Sequence, residues 1–207
     1  MNPQEALQAL KDGNRRFVAG RHRQGSGVDD LRRSHLTAGQ DPLAVVIGCS
    51  DSRVPVEIVF DQGLGDLFVI RVAGNIVRSS QVESVEYAVG ELGTPLVVVL
   101  GHEGCGAVTA AVEELRADTP PLSLRLPSLM EMLRPVVEPL LEEGIPPARS
   151  DFLDQVVRAN VQHAVRILRE SSPLVAGKEQ AGDLLVVGAE YSLAGGSVRF
   201  LPVVPPL

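Results

Sequence analysis

Four short apolar runs set the frame of the chain: 43–48 (LAVVIG), 67–72 (LFVIRV), 96–100 (LVVVL) and 184–187 (LLVV). They are Val-rich and almost unbroken by polar residues, the pattern of strands covered on both faces in a parallel sheet. A fifth run, 197–203, carries Arg199 and Pro202 and reads as an edge strand, where a missing backbone donor is tolerated. Between the strands the apolar spacing turns helical. Residues 79–92 predict a helix capped by Ser79 and Ser80, and 151–169 place Leu153, Val157, Val161, Val165 and Leu168 on one face. The stretch 127–142 is helical but interrupted by Pro135 and Pro139. Pro120, Pro121, Pro146 and Pro147 bracket it as an insertion without a strand-helix core of its own. Residues 3–19 put Leu7, Leu10, Phe17 and Val18 on a helical stripe ahead of the Arg- and Gly-rich stretch 20–28. A helix tethered in that way is expected to pack away from its own core, on a neighbouring subunit of a homo-oligomer.

Strands alternating with crossover helices predict an α/β fold. A single domain over 1–207, with an N-terminal helical arm over about 1–35, accounts for the whole pattern. The apolar content, 44%, is ample for a core and comes from Val, Leu and Ala, with five Phe, two Tyr and no Trp. A formal charge of -7 leaves no basic surface for nucleic acid, although Arg15, Arg16, Arg21, Arg23, Arg32 and Arg33 gather near the N-terminus. No stretch approaches the roughly 18 apolar residues of a membrane span, and the first residues lack an apolar leader. Two cysteines are too few for a disulfide framework. Together these features predict a cytoplasmic protein whose cysteines have a chemical role.

In open parallel sheets ligands gather beyond the carboxyl ends of the strands. The first run leads into Cys49-Ser50-Asp51-Ser52-Arg53 and the third into Gly101-His102-Glu103-Gly104-Cys105-Gly106. Taken singly, each residue has an ordinary explanation: a cysteine as a small apolar filler, a histidine as a hydrogen-bonded structural group. Both cysteines and one of four histidines nevertheless fall at two strand ends where a site is expected. If those strands are neighbours, two thiolates and an imidazole converge, a donor set that suits Zn2+ and leaves a fourth position open. His22, His35 and His163 have no such setting and read as surface or capping residues. Asp51 and Arg53 are placed to face the same opening, or to form a plain ion pair. Gly63-Leu64-Gly65 precedes a strand instead of following one, and Gly177-Lys178 lacks the spacing of a phosphate loop, which argues against nucleotide binding.

These residues resemble the β-class carbonic anhydrase family, whose hallmarks are a Cys-Ser-Asp-Ser-Arg segment and a His-x-x-Cys-Gly segment. The likeness continues through Arg71-Val72-Ala73-Gly74-Asn75, Glu86-Tyr87-Ala88-Val89 and Gly188-Ala189-Glu190-Tyr191. It implies a four-stranded parallel sheet extended by an antiparallel edge strand and flanked by helices, assembled as dimers or higher multiples with sites at the dimer interface. It implies zinc on Cys49, His102 and Cys105, and reversible hydration of carbon dioxide to bicarbonate and a proton by zinc-bound hydroxide. Gln40, Phe68 and Tyr87 match residues that line the carbon dioxide pocket, partly from the neighbouring subunit. Two positions depart from family patterns. Val46 stands where bacterial members regulated by bicarbonate have Trp, although Arg71 and Tyr191 match the rest of that site. Glu91 stands where some plant members have a His implicated in proton export.

Two thiolates cancel the charge of a divalent ion and blunt its effect on bound water, so neighbouring groups become important. Asp51 is expected either to accept a hydrogen bond from the attacking solvent or to occupy the fourth metal position and block it. Arg53, by holding the carboxylate off, would make the pair a pH-sensitive gate. Two other readings stay open at this point. The same site could hydrolyse carbon disulfide or carbonyl sulfide, or Asp51 could permanently close a non-catalytic zinc site. A thiol redox role ranks below both, because pairing the cysteines would require loss of the metal.

Overall fold

The computed structural model describes residues 1–22, 30–116, 126–143 and 151–202. Arg23, Pro120, Pro121, Pro146, Pro147 and Val203 lie outside them. Five strands, β1 (Ala44–Gly48), β2 (Leu67–Arg71), β3 (Leu96–His102), β4 (Leu185–Tyr191) and β5 (Val198–Phe200), form one sheet in the order β2-β1-β3-β4-β5. The first four are parallel and β5 runs antiparallel to β4. β3 and β4 outrun the apolar runs that announced them, because the pairing continues through Gly101–Glu190 and His102–Tyr191. Side chains alternate between two buried layers. Val45, Ile47, Val97, Val99 and Val186 pack under helices α4 (Ser79–Gly90), α7 (Phe152–Ser171) and α8 (Pro173–Ala181), while Ala44, Val46, Val98, Leu100 and Val187 face the other side. Both faces being apolar is why these strands read as continuous runs.

β2 departs from that expectation. It is a sheet edge, and Leu67 to Ile70 are only half-buried, since no described strand lies beyond them. An apolar run shows that a strand is fit for burial on both faces. It does not show that one subunit supplies both covers.

The N-terminal helix α1 (Pro3–Val18) also differs from the reading of an arm on a neighbour. Ala6, Leu7 and Leu10 are buried against Val59 and Phe60 of the same chain. Asn14 donates to the carbonyls of Val59 (3.0 Å) and Gly196 (2.9 Å) and accepts from the N–H of Val198 (2.8 Å). The stripe was legible, but Gly13 and Asn14 on the same face were not, and they let the helix dock this closely. A Cβ on Gly13 would lie 1.8 Å from the Phe60 carbonyl oxygen. Gly13→Ala is therefore expected to lower stability by about 1–3 kcal/mol, read as an earlier midpoint in urea unfolding; an unchanged midpoint would show that α1 does not dock here.

Helices α2 (Asp30–His35) and α3 (Val56–Val59) are short, and two longer helices differ from the pattern read in the sequence. In α4 the capping position is Arg78, whose N–H donates to the Gln81 side chain (3.2 Å), and Ser79 and Ser80 stand inside the first turn. Helix α6 (Pro127–Glu142) runs unbroken through Pro135 and Pro139. Both prolines are exposed, as is Glu131, so the helical carbonyls they leave without donors face water. The opposite face buries Leu129, Met130, Leu133, Val136 and Val137 with helix α5 (Gly106–Arg116) and with Cys49 and Cys105. The excursion thus forms a third core layer under the two cysteines, which is more than an insertion on the surface.

Candidate metal centre

β1 and β3 are direct neighbours, with Gly48 opposite Leu100. Cys49 therefore leaves β1 level with Gly101, next to His102, and Cys105 follows one tight turn later. Cys49 Sγ, Cys105 Sγ and a ring nitrogen of His102 lie within 4.8 Å of one another, all three residues buried. His102 Nδ1 faces the Glu103 carbonyl at 2.9 Å. A carbonyl only accepts, so Nδ1 carries the hydrogen and Nε2 presents its lone pair. Among the described residues that buried Nε2 has no hydrogen-bond partner, the state expected of an atom whose partner is a metal ion.

The sulfurs make the same point. Cys49 accepts N–H donors from Asp51 (3.4 Å) and Gly74 (3.4 Å). Its thiol is driven well below the ordinary range by a hydrogen bond from Cys105, against the effect of burial, while the Cys105 thiol is driven up by that same bond and by burial. Two thiolates stand this close only with a cation between them, and a soft divalent ion such as zinc suits the S2N set.

Asp51 stands beside this cluster, its Oδ2 3.9 Å from His102 Nε2. Arg53 holds it through three bonds: its backbone N–H and Nε donate to Oδ1 (both 2.9 Å), and Nη2 donates to Oδ2 (2.7 Å). Nη2 also donates to the Gly104 carbonyl (3.1 Å), which ties the pair to the turn between His102 and Cys105. Both carboxylate oxygens are thus engaged by the guanidinium. The Arg53 hydrogen bonds hold the Asp51 carboxyl far below the usual carboxylate range, with burial opposing. A depressed folded-state pKa means that this pairing favours the fold above the ordinary carboxylate range and loses that advantage only as pH falls through the depressed value. The Asp51 carboxyl 13C resonance is accordingly expected to stay flat from pH 4 to pH 8; a titration step in that window would contradict the pairing.

The loop rests on a residue whose part was not read from the sequence. Arg71, at the end of β2, donates through Nε to the Cys49 carbonyl (3.1 Å) and through Nη2 to the Asp51 carbonyl (2.6 Å). In the sequence it stood out within a family-like segment and as a match to the bicarbonate site; nothing in its spacing pointed at the Cys49 loop. Glu103 plays a similar part, accepting from Ser192 Oγ (2.9 Å) and the Leu193 N–H (3.0 Å) and so joining the ends of β3 and β4.

The three remaining site candidates lie elsewhere in the chain. Phe68 and Tyr87 meet each other, ring centroids 6.2 Å apart, and Tyr87 is 51% exposed. Phe68 pairs with Val45, four residues before Cys49, which places it roughly 13 Å back along the sheet. Gln40 is exposed in a groove with Leu36 and Gly65, near the start of β2 and at the opposite end of the sheet from Cys49. One chain does not bring these three to the cluster. Of the histidines without an assigned role, His22 sits 3.8 Å from Asp61 and His163 contacts Arg166.

Residues 44–198 match the family model described as carbonic anhydrase. The chain is 43% identical over 195 residues to carbonic anhydrase 2 of Mycobacterium tuberculosis, covering 94% of this chain and 91% of that one. Its fold is similar to that of the β-carbonic anhydrase CafA of Aspergillus fumigatus, with a TM-score of 0.74, 30% identity, and 84% and 82% of the two chains covered. The chain belongs to the β-carbonic anhydrase family. Another relative by structure is one of two tetrameric β-carbonic anhydrases from Sordaria macrospora, with a TM-score of 0.73, 25% identity, and 83% and 86% covered. The matched span of this β-carbonic anhydrase holds both cysteines, His102, Asp51 and Arg53, but not Gln40 or the docked helix α1. Among the described residues no helix is long and apolar enough to cross a membrane.

Proposed function

We propose that this chain catalyses the reversible hydration of carbon dioxide to bicarbonate and a proton, with zinc held by Cys49, His102 and Cys105. The observation that carries the reading is the buried Nε2 of His102, without a hydrogen-bond partner among the described residues, clustered with the sulfurs of Cys49 and Cys105 beside a carboxylate held by Arg53. When bound, zinc supplies the charge that makes water acidic enough to act as a nucleophile at neutral pH. Asp51 then accepts a hydrogen bond from the attacking solvent and turns its free lone pair toward the substrate carbon. Arg53 keeps Asp51 in that post, so that the carboxylate does not take the solvent's place. The Glu103 carbonyl fixes the tautomer of His102, and the N–H groups of Asp51 and Gly74 draw charge from the Cys49 sulfur. Water and carbon dioxide give bicarbonate, and the released proton leaves to buffer. Both Asp51 oxygens being engaged by Arg53 speaks against a permanently closed zinc site.

The half-buried edge strand β2 and the exposed Tyr87 support assembly through that edge, with Gln40, Phe68 and Tyr87 lining the carbon dioxide approach to the neighbouring subunit's cluster. The need for two free thiolates fits a reducing, cytoplasmic setting. Stopped-flow hydration of carbon dioxide, on protein whose metal content is measured in the same preparation, tests the reading. Turnover that tracks zinc content is the expected result. Zinc-loaded protein with no turnover on carbon dioxide, but with turnover on carbonyl sulfide or carbon disulfide, would replace the substrate; turnover on none would end it.

A further inference from the structure

The buried face of α7 consists of Phe152, Val156, Val157, Asn160, Val161, Ala164, Val165 and Leu168, so Asn160 is its only polar member, at 2% exposure. A primary amide on such a face is unfavourable unless it is bonded. Its Nδ2 donates to the carbonyl oxygen of Gly74 at 2.8 Å, across 86 positions of sequence. Gly74 belongs to the tight turn after β2, closed by the Asn75 N–H donating to the Val72 carbonyl (3.0 Å). Two successive residues of this turn are left-handed, Gly74 at φ 68 and Asn75 at φ 44. Glycine and asparagine are the residues that enter this region most readily, so the turn suits the residues that form it. A side chain at Gly74 would also press on Ala107, with its Cβ 3.2 Å from the Ala107 Cβ. The N–H of Gly74 ends 3.4 Å from Cys49 Sγ. Of the two backbone donors on that sulfur among the described residues, Asp51 comes from the cysteine's own loop, whereas Gly74 is brought from another loop.

We propose that Asn160 is a positioning residue for Cys49: by clamping the Gly74 turn it keeps an N–H on the thiolate and sets how strongly that sulfur donates to the metal. The inference rests on the zinc reading above and deepens it. A hydrogen bond to a metal-bound thiolate draws charge from the sulfur and leaves more of it on the ion. That matters most where two thiolates otherwise cancel a divalent charge.

The test compares wild-type protein, Asn160→Leu and Val165→Ala, each loaded with zinc or with cobalt(II). Val165 is buried on the same helix, in the core layer away from the cysteines, and reports what a packing defect alone does. In Asn160→Leu the thiolate-to-cobalt absorption is expected to move to longer wavelength, because the sulfur electrons are freed. Zinc affinity, read by competition with a chelator, should nevertheless fall roughly 10- to 100-fold, because without the Gly74 N–H the Cys49 thiolate is costlier to form and less well placed. Val165→Ala should melt earlier yet keep both properties of the wild type. If Asn160→Leu does not fold, Asn160→Ser, whose hydroxyl is too short to reach Gly74, reads the same two quantities. An unmoved band and unchanged zinc affinity in the Asn160 variants, with a normal wild type, overturn this inference and leave the proposed function standing. A wild type without any thiolate-to-cobalt band removes the zinc site itself, and the inference with it.

Discussion

Cys105→Ser is expected to empty the metal site and reduce carbon dioxide hydration to the rate of buffer alone. The serine hydroxyl is nearly the size of the thiol but does not ionise at neutral pH, so the site would keep one thiolate and one imidazole. Structural zinc sites with their full ligand sets bind with an apparent strength of about 10–16 kcal/mol. Losing an anionic ligand of three removes a large share of the attraction while the ion's loss of hydration remains. Cys105 is 2% exposed and packs with Val108, Leu129 and Met130, so the substitution also places a hydroxyl among apolar neighbours. That cost is about 1–3 kcal/mol, enough to lower the melting temperature but not to unfold the sheet. Metal analysis after dialysis, circular dichroism and stopped-flow hydration on one preparation separate these effects. Folded Cys105→Ser protein that retained a full complement of zinc and normal turnover would remove this residue from the ligand set.

Arg53→Ala carries the second large effect and should leave zinc in place. Without the guanidinium, Asp51 loses two side-chain hydrogen bonds and keeps only the bond from the backbone of residue 53. Its Oδ2 already lies 3.9 Å from His102 Nε2, so a small rotation carries the carboxylate onto the position that the solvent needs. Turnover is expected to fall by about 10²–10⁴-fold, the usual worth of a placed acid-base group, while zinc content stays at the wild-type level. Arg53→Lys should recover little, because an ammonium is a point charge and does not match both carboxylate oxygens at once. Zinc-edge absorption should report a carboxylate oxygen in place of solvent in the alanine variant. Full turnover at neutral pH in Arg53→Ala would refute the role assigned to the pair.

The cluster able to hold a metal was legible because of a rule of topology. In a parallel sheet every strand delivers its next residue to the same edge, so Cys49 and His102, each following a Val-rich run, needed only adjacent strands to meet. Adjacency of β1 and β3 is what the structure added. The misreadings share a cause. β2 looked like a strand covered on both sides and is an edge, and α1 looked like an arm reaching elsewhere and docks on its own chain, because an apolar stripe states that it must be covered without naming the cover. The prolines of α6 seemed to break a helix that they only decorate, since their exposed face leaves the unpaired carbonyls to water.

By itself the amino-acid order determined the alternation of strand and helix, the residues able to bind a soft divalent ion, and the carboxylate and guanidinium beside them; these depend on side-chain chemistry and on spacings of a few positions. Only the tertiary structure decided that Nε2 of His102 is the free nitrogen, that Arg53 grips both oxygens of Asp51, and that Arg71 and Asn160 brace the loops around Cys49. The last two of these, made by Arg71 and Asn160, join residues 20 to 86 positions apart. Hydrogen bonds of about 3 Å between such distant residues arise from how whole helices and strands pack, which no local pattern encodes.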